Sequence, residues 1–209
     1  MEKNIHTKIK SYIVQDSGEL SMEYQKLGKE AQDKVGVPLE YQVPIKKHVH
    51  HNKDEYAHCR SDGIYVNEAY VNNTPTIFQK YVLYHESVHK KFNHNTAIAI
   101  MSGVFSLSIA WTLAIMFHFT PFNTMYKILI PYAAAAIVSI PYVNDKLHYY
   151  GERQADTEAL YAMNCHQCVD DLLHVMKREK DDGGYLTTSE MHLIAQEMKK
   201  QNKLCVDHS

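Results

Sequence analysis

The chain has 209 residues and a formal net charge of −2 at pH 7, with 22 Lys and Arg against 24 Asp and Glu. This length suits one domain with a membrane element, and the near-neutral charge does not favour nucleic acid as a partner. The four cysteines do not resemble a secreted disulfide framework, and residues 1–10 hold no apolar signal core. We therefore expect reduced cysteines and a main domain that is not exported.

The N-terminal third predicts a helix followed by short strands. Residues 19–35 carry an apolar stripe at helical spacing, and Gly36 suits the end of that helix. Residues 39–45 alternate apolar and polar side chains and predict a strand, which Pro44 restricts to a sheet edge. Residues 63–68 predict a second short strand.

The segment between these strands is rich in histidine. Its spacing matches no closed zinc pattern, so we favour a solvated segment over a second metal site. The residues concerned are His48, His50, His51, His58 and Cys59.

A helix is predicted to begin near residues 74–76 and to carry the central motif of the chain. Pro75 suits a first helical turn, and Thr76 with Gln79 matches a capping box. The apolar stripe of this helix includes the positions of His85 and His89, so both histidines face inward.

The motif is His-Glu-x-x-His, from His85 to His89. Residues four apart lie on one face of a helix, so the two imidazoles can share a zinc ion. Glu86 is then placed to take a proton from a water bound to the metal. The alternative is a pair of core histidines in a protein without a metal.

Two uncharged runs follow the motif. Residues 97–117 are long and apolar enough to span a bilayer. Residues 128–143 predict a second, shorter span with Pro131 and Pro141 near its ends. Together they predict a transmembrane hairpin that returns the chain to its starting side.

The charges beside the hairpin predict its orientation. Its outer ends are flanked by Lys90, Lys91, Lys146 and Arg153, whereas the connecting loop offers Lys127. The positive-inside rule then puts the motif side in the cytoplasm.

After the predicted hairpin, the chain carries acidic residues on the same side of the membrane as the His-Glu-x-x-His motif. Glu152 and Asp156 are four apart, so they share a face of a helix that we expect to start here. A catalytic zinc commonly takes two histidines and a carboxylate, which makes Glu152 a candidate for the third ligand. Asp156 could accept the other ring N–H of a ligating histidine. The alternative is a surface helix that carries acidic residues.

The remaining residues predict two helices. One covers residues 160–180 and contains Cys165 and Cys168, a single Cys-x-x-Cys pair that we interpret as structural rather than as a redox or zinc site. The last begins at a cap on Thr188 or Ser189 and ends near Lys200.

The order of these features resembles the membrane zinc proteases of the HtpX and CAAX prenyl endopeptidase family. The likeness rests on His85-Glu86-x-x-His89, an apolar hairpin and Glu152-x-x-Ala155-Asp156, and it covers about residues 20–170. It implies that His85, His89 and Glu152 bind zinc and that Glu86 is the general base. It also implies that Asp156 contacts a ligand without binding the zinc itself. It also implies that the strand at residues 63–68 lines the cleft and pairs with the substrate backbone.

The chain departs from that family in two respects. It has fewer predicted spans, and the Thr-His-Pro segment that often follows the glutamate helix is absent, unless His208 is a remnant of it that helps in the transition state.

We therefore expect a mainly α, α+β protein with a small zincin-like domain, a short sheet and an inserted transmembrane hairpin. Residues 1–94 and 147–209 form the protease domain and residues 95–146 the hairpin. The expected function is a two-span membrane zinc endopeptidase, with one Zn²⁺ per chain, that cleaves membrane-associated or misfolded proteins on the cytoplasmic side. The alternative is an inactive membrane interaction protein with a structural zinc site.

Overall fold

The structure combines six helices with a small sheet in the part of the chain that it describes. It is a computed structural model and describes residues 16–19, 22–48, 56–67, 73–118, 123–176 and 184–204. The strands are β1 (Asp16–Glu19), β2 (Ile45–His48), β3 (Ala57–Arg60) and β4 (Gly63–Val66). The helices are α1 (Met22–Val35), α2 (Thr76–Phe92), α3 (His94–His118), α4 (Thr124–Met163), α5 (His166–Val175) and α6 (Thr188–Lys200). This confirms the predicted mainly α, α+β class.

The described residues fall into two compact units. One takes those within 1–91, 154–181 and 186–209, and so holds the sheet, α1, α5, α6, nearly all of α2 and the C-terminal part of α4. The other takes those within 92–153 and 182–185, and so holds α3 and most of α4.

The sheet has the strand order β1-β2-β4-β3, and its central pair, β2 and β4, is parallel. Strand β4 also pairs with β3, antiparallel, so both of its edges are occupied, and all four of its residues are buried. The expectation that residues 63–68 pair with a substrate backbone is therefore wrong for β4. Among the described strands, β3 occupies the sheet edge on that side.

Helix α1 holds the chain before β2 through two glutamine side chains. Gln32 accepts from the backbone N–H of Val43 at 2.8 Å and donates to its carbonyl at 2.9 Å. Gln25 bonds the N–H and the carbonyl of Ile45 in the same way. Because Gln32 satisfies both backbone groups of Val43, this residue needs no strand partner. The predicted strand at 39–45 is accordingly wrong: a 3₁₀ turn covers Leu39–Tyr41, and β2 begins at Ile45.

Helix α2 is the central helix of its unit. Its residues 81–88 are all buried, which means that it is covered on every side. The predicted capping box at its start is replaced by other bonds: Gln79 donates to the carbonyl of Thr74 at 2.9 Å and accepts from the Tyr24 hydroxyl at 2.9 Å.

Helix α3 is the one described helix that is long and apolar enough to cross a membrane, over Thr96–His118. Its 23 residues rise about 35 Å, more than a hydrocarbon core of about 30 Å. The predicted second span does not meet the same test, so the two-span prediction is not met. Residues 128–143 rise only about 24 Å and lie inside the much longer α4.

Two hydrogen bonds join α3 to α4 within the second unit. The Ser102 hydroxyl donates to Oδ1 of Asn144 at 2.5 Å, and Nζ of Lys127 donates to the carbonyl of His118 at 2.8 Å. The first pair joins the early part of α3 to the middle of α4, and the second pair lies at their connection. The two segments therefore run antiparallel.

The C-terminal helices begin and end at other residues than predicted. Glu152 and Asp156 lie within the 40-residue α4, which continues from the second apolar run, so no new helix starts there. The helix predicted for 160–180 is interrupted at Asn164, where a φ of 50° lets the chain turn into α5. Thr187, one residue earlier than expected, caps α6 in a capping box with Glu190.

Candidate metal centre

His85 and His89 present their Nε2 atoms to each other from one face of α2. These atoms lie 3.1 Å apart, and the rings meet edge to face with centroids 4.8 Å apart. Two nitrogen ligands of one tetrahedral zinc ion lie about 3.3 Å apart, given Zn–N bonds of 2.0–2.1 Å. The helix thus holds both nitrogens at the spacing that a shared ion requires.

Glu152 completes a group of three ligands. One ligand atom from each of His85, His89 and Glu152 lies within 4.8 Å of the other two, which is close enough to hold a metal ion. Glu152 is 5% exposed, and its Oε1 lies 3.4 Å from Nδ1 of the exposed His148 one turn away. In the part of the chain that the structure describes, this is the one cluster of His, Cys, Asp and Glu with such geometry.

Asp156, one helical turn after Glu152, contacts His85 at the ring nitrogen opposite to the one that faces His89. Its Oδ1 lies 2.8 Å from Nδ1 of His85, and the carboxylate is fully buried. An ionised carboxylate can only accept, so the proton of this bond belongs to Nδ1 of His85. The lone pair of the ring is then on Nε2, which faces His89 and is available to a metal.

Glu86 is 8% exposed and lies near strand β3. Burial raises the pKa of the Cys59 thiol to about 12, and the negative charge of Glu86 adds to this rise. The negative charge of Glu86 therefore affects the thiol of Cys59 in the edge strand β3. In the sequence, Glu86 directly follows His85, one of the candidate ligands.

Two partners of Asp156 were absent from the sequence-based prediction. The Tyr81 hydroxyl donates to its Oδ1, and the backbone N–H of Leu186 donates to its Oδ2 at 2.8 Å. Tyr81 lies four residues before His85, and that spacing puts both on one face of the helix, which is a signal present in the sequence. No local signal pointed to Leu186.

Among the described residues, no other predicted feature belongs to this group. His208, His50 and His51 are outside the described residues. His58 lies in β3 and stacks on Tyr65, with ring centroids 5.2 Å apart.

The Cys-x-x-Cys pair has a structural role. Cys165 and Cys168 are buried and form no disulfide. Sγ of Cys165 caps α5 by accepting from the N–H of Cys168 at 3.2 Å.

Comparison with known proteins finds no match among protein-family models, curated proteins or solved structures. The likeness to the HtpX and CAAX prenyl endopeptidase family therefore rests on the residues of this chain alone.

Proposed function

We propose that this chain is an integral-membrane zinc endopeptidase with a zincin-like catalytic domain. The observation that carries the proposal is the convergence of His85, His89 and Glu152, with ligand atoms within 4.8 Å of one another. Glu86 follows the first of these ligands directly in the chain. Two imidazoles with one carboxylate, accompanied by a second carboxylate that does not ligate, form the donor set of a hydrolytic zinc site.

Zinc suits these donors better than the common alternatives. Mg²⁺ and Ca²⁺ prefer sites made of oxygen atoms, whereas two of these three ligands are imidazole nitrogens. The three ligands found among the described residues leave one position of a tetrahedral ion for water or substrate, as in catalytic rather than structural sites.

Each residue of the centre has a separate role in the proposed hydrolysis of a peptide bond. Bound zinc would polarise the scissile carbonyl and lower the pKa of a water molecule. Glu86 accepts a proton from that water and delivers it to the leaving amine, as general base and then general acid. Asp156 keeps His85 in the tautomer that ligates through Nε2.

Strand β3 is the element that we assign to substrate binding, in place of β4. It is at the sheet edge, and its Cys59 is close enough to Glu86 for that charge to raise the thiol pKa. Lys90 Nζ donates to the carbonyl of Ser61 at 2.7 Å, which ties the turn after β3 to the end of α2. An extended peptide could add to this edge by backbone pairing.

The surface of α3 supports association with a bilayer. Only 11% of its most apolar 18-residue stretch is buried, and large apolar side chains such as Leu107 and Trp111 are exposed. We propose that α3 inserts into a membrane, with the antiparallel first part of α4 beside it. The flanking Lys90, Lys91 and Lys146 favour a catalytic domain in the cytoplasm. Membrane-associated or misfolded proteins are then the substrates within reach.

The test is cleavage of a fluorogenic peptide mixture and of an unfolded protein by detergent-purified enzyme loaded with zinc. Glu86→Gln should retain zinc and lose at least 100-fold in turnover, within the range for a general acid–base residue. Glu23→Gln, an exposed position in α1, is the matched control and should keep wild-type activity. Full activity of Glu86→Gln would overturn the mechanism.

A further inference from the structure

The carboxylate of Asp156 is fully buried and accepts hydrogen bonds from three donors. They are the Nδ1–H of His85, the hydroxyl of Tyr81 and the backbone N–H of Leu186. A carboxylate removed from water is tolerated when such donors replace its hydration. These donors come from α2 and from the segment before α6, so the carboxylate is held from two directions.

Tyr81 and His85 donate to the same oxygen, Oδ1. They are one turn apart on α2, and Tyr81 is 2% exposed. The direction of the lone pairs on Oδ1 governs how the imidazole of His85 is turned, because the Nδ1–H points at that atom. A second donor on Oδ1 limits the rotation of the Asp156 carboxylate. It thereby limits the rotation of the His85 imidazole, whose Nε2 faces His89.

We propose that Tyr81 is a positioning residue of the metal centre, acting through Asp156 on the orientation of His85. This inference rests on the proposed function, because it takes the His85–His89–Glu152 group to be the metal site. Tyr81 is not one of the three candidate ligands. Its hydroxyl contributes to metal affinity by limiting the rotation of Asp156.

A purely structural role for Tyr81 makes a different prediction, and the chain provides the control. Tyr84 lies on the same helix, is 1% exposed, and its hydroxyl donates to Oε1 of Glu30 at 3.2 Å. Tyr84→Phe removes the same atom from the same helix without touching Asp156. A general loss of packing or stability would affect both variants, whereas a positioning role affects Tyr81→Phe alone.

The experiment measures the zinc dissociation constant of the purified full chain by competition with a chromophoric chelator. Tyr81→Phe should weaken zinc binding by about tenfold, at the low end for partners of ligating histidines. Tyr84→Phe should bind zinc as the wild type does. In an Asp156→Ala background, Tyr81→Phe should cause no further loss, because the route from the hydroxyl to His85 is then removed.

Unchanged zinc affinity in Tyr81→Phe, or an equal loss in Tyr84→Phe, would overturn this inference and leave the proposed function intact. A further tenfold loss in the Asp156→Ala background would also overturn it, since the hydroxyl would then act by another route. A wild-type chain that binds no zinc would overturn both proposals together. If Asp156→Ala does not fold, the comparison of the two tyrosine variants still decides.

Discussion

His85 and Asp156 form a buried pair in which Nδ1 of the imidazole lies 2.8 Å from Oδ1 of the carboxylate. The pair joins α2 to the C-terminal part of α4, 71 residues apart in the chain. It directs the opposite ring nitrogen toward His89. A carboxylate at this position is a common partner of histidines that ligate a metal.

Asp156→Ala should weaken zinc binding by about 10- to 100-fold, because His85 then lacks its orienting acceptor. It should also lower the free energy of unfolding by about 1–3 kcal/mol, since the Tyr81 hydroxyl and the Leu186 N–H lose an acceptor in a buried place. Chelator competition and thermal unfolding in detergent measure the two effects. Asp171→Ala, in α5, is the control, and wild-type zinc affinity in Asp156→Ala would contradict the orienting role.

Gly28→Ala should destabilise the first unit. A Cβ at this position would lie 2.2 Å from Cγ1 of Ile45, between the two glutamines that clamp the chain before β2. Overpacking of this kind costs about 1–3 kcal/mol. We expect a lower melting temperature of the purified chain.

Gly103→Ala provides the comparison for that variant. Nothing lies within 4 Å of a Cβ built at Gly103 in α3, so alanine there should leave stability unchanged or raise it. If Gly28→Ala melted with or above Gly103→Ala, the close contact between α1 and Ile45 would be wrong.

Cys59 should react slowly with iodoacetamide at pH 8 in the folded, metal-free protein. Burial, with the charge of Glu86, raises its pKa from an ordinary 9.0 to about 12, so little thiolate is present. Glu86→Gln removes the negative charge and should speed the alkylation, while Glu23→Gln should not. Mass spectrometry of the Cys59 peptide gives the rates, and equal rates in all three proteins would rule out the coupling.

The same pKa predicts how stability depends on pH. A thiol with a raised pKa in the folded state stabilises that state fully below the unfolded value of 9.0. This contribution is lost as the pH rises from about 9 toward about 12. Cys59→Ser should therefore reduce the alkaline loss of stability; an alkaline limb identical to that of the wild type would contradict the assignment.

Leu107→Arg should prevent stable membrane insertion of α3. The residue is near the middle of the apolar segment and is 59% exposed, and an arginine at the centre of a spanning helix costs about 2.5–3.5 kcal/mol. Carbonate extraction of membranes should release this variant. Leu193→Arg, at an exposed leucine of α6, should stay in the membrane fraction; retention of both variants would argue against a spanning α3.

Helical spacing paired the candidate residues, whereas the predicted hairpin and the family resemblance related Glu152 to the two histidines. His85 with His89, and Glu152 with Asp156, are each one turn apart, so a local pattern places each pair on one face. The uninterrupted apolar run of α3 likewise needed no tertiary information. These features follow from distances of a few residues along the chain.

Features that depend on distant partners were not predictable in this way. The strand expected at 39–45 is replaced because Gln32, in α1, satisfies the backbone of Val43. Strand β4 lies inside the sheet because a parallel pairing with β2 covers one edge, and strand order has no signature in local alternation. The donor from Leu186 reaches Asp156 only through the fold of the C-terminal helices.

The most direct test of the account is the zinc content of the detergent-purified chain, wild type beside Glu152→Gln, measured by inductively coupled plasma mass spectrometry. We expect about one zinc per wild-type chain and a sharp fall in the variant, because Glu152 is one of the three candidate ligands. Glu158→Gln, in the same helix, should keep the zinc. No zinc in the wild type, or full zinc in Glu152→Gln, would contradict the proposed metal centre.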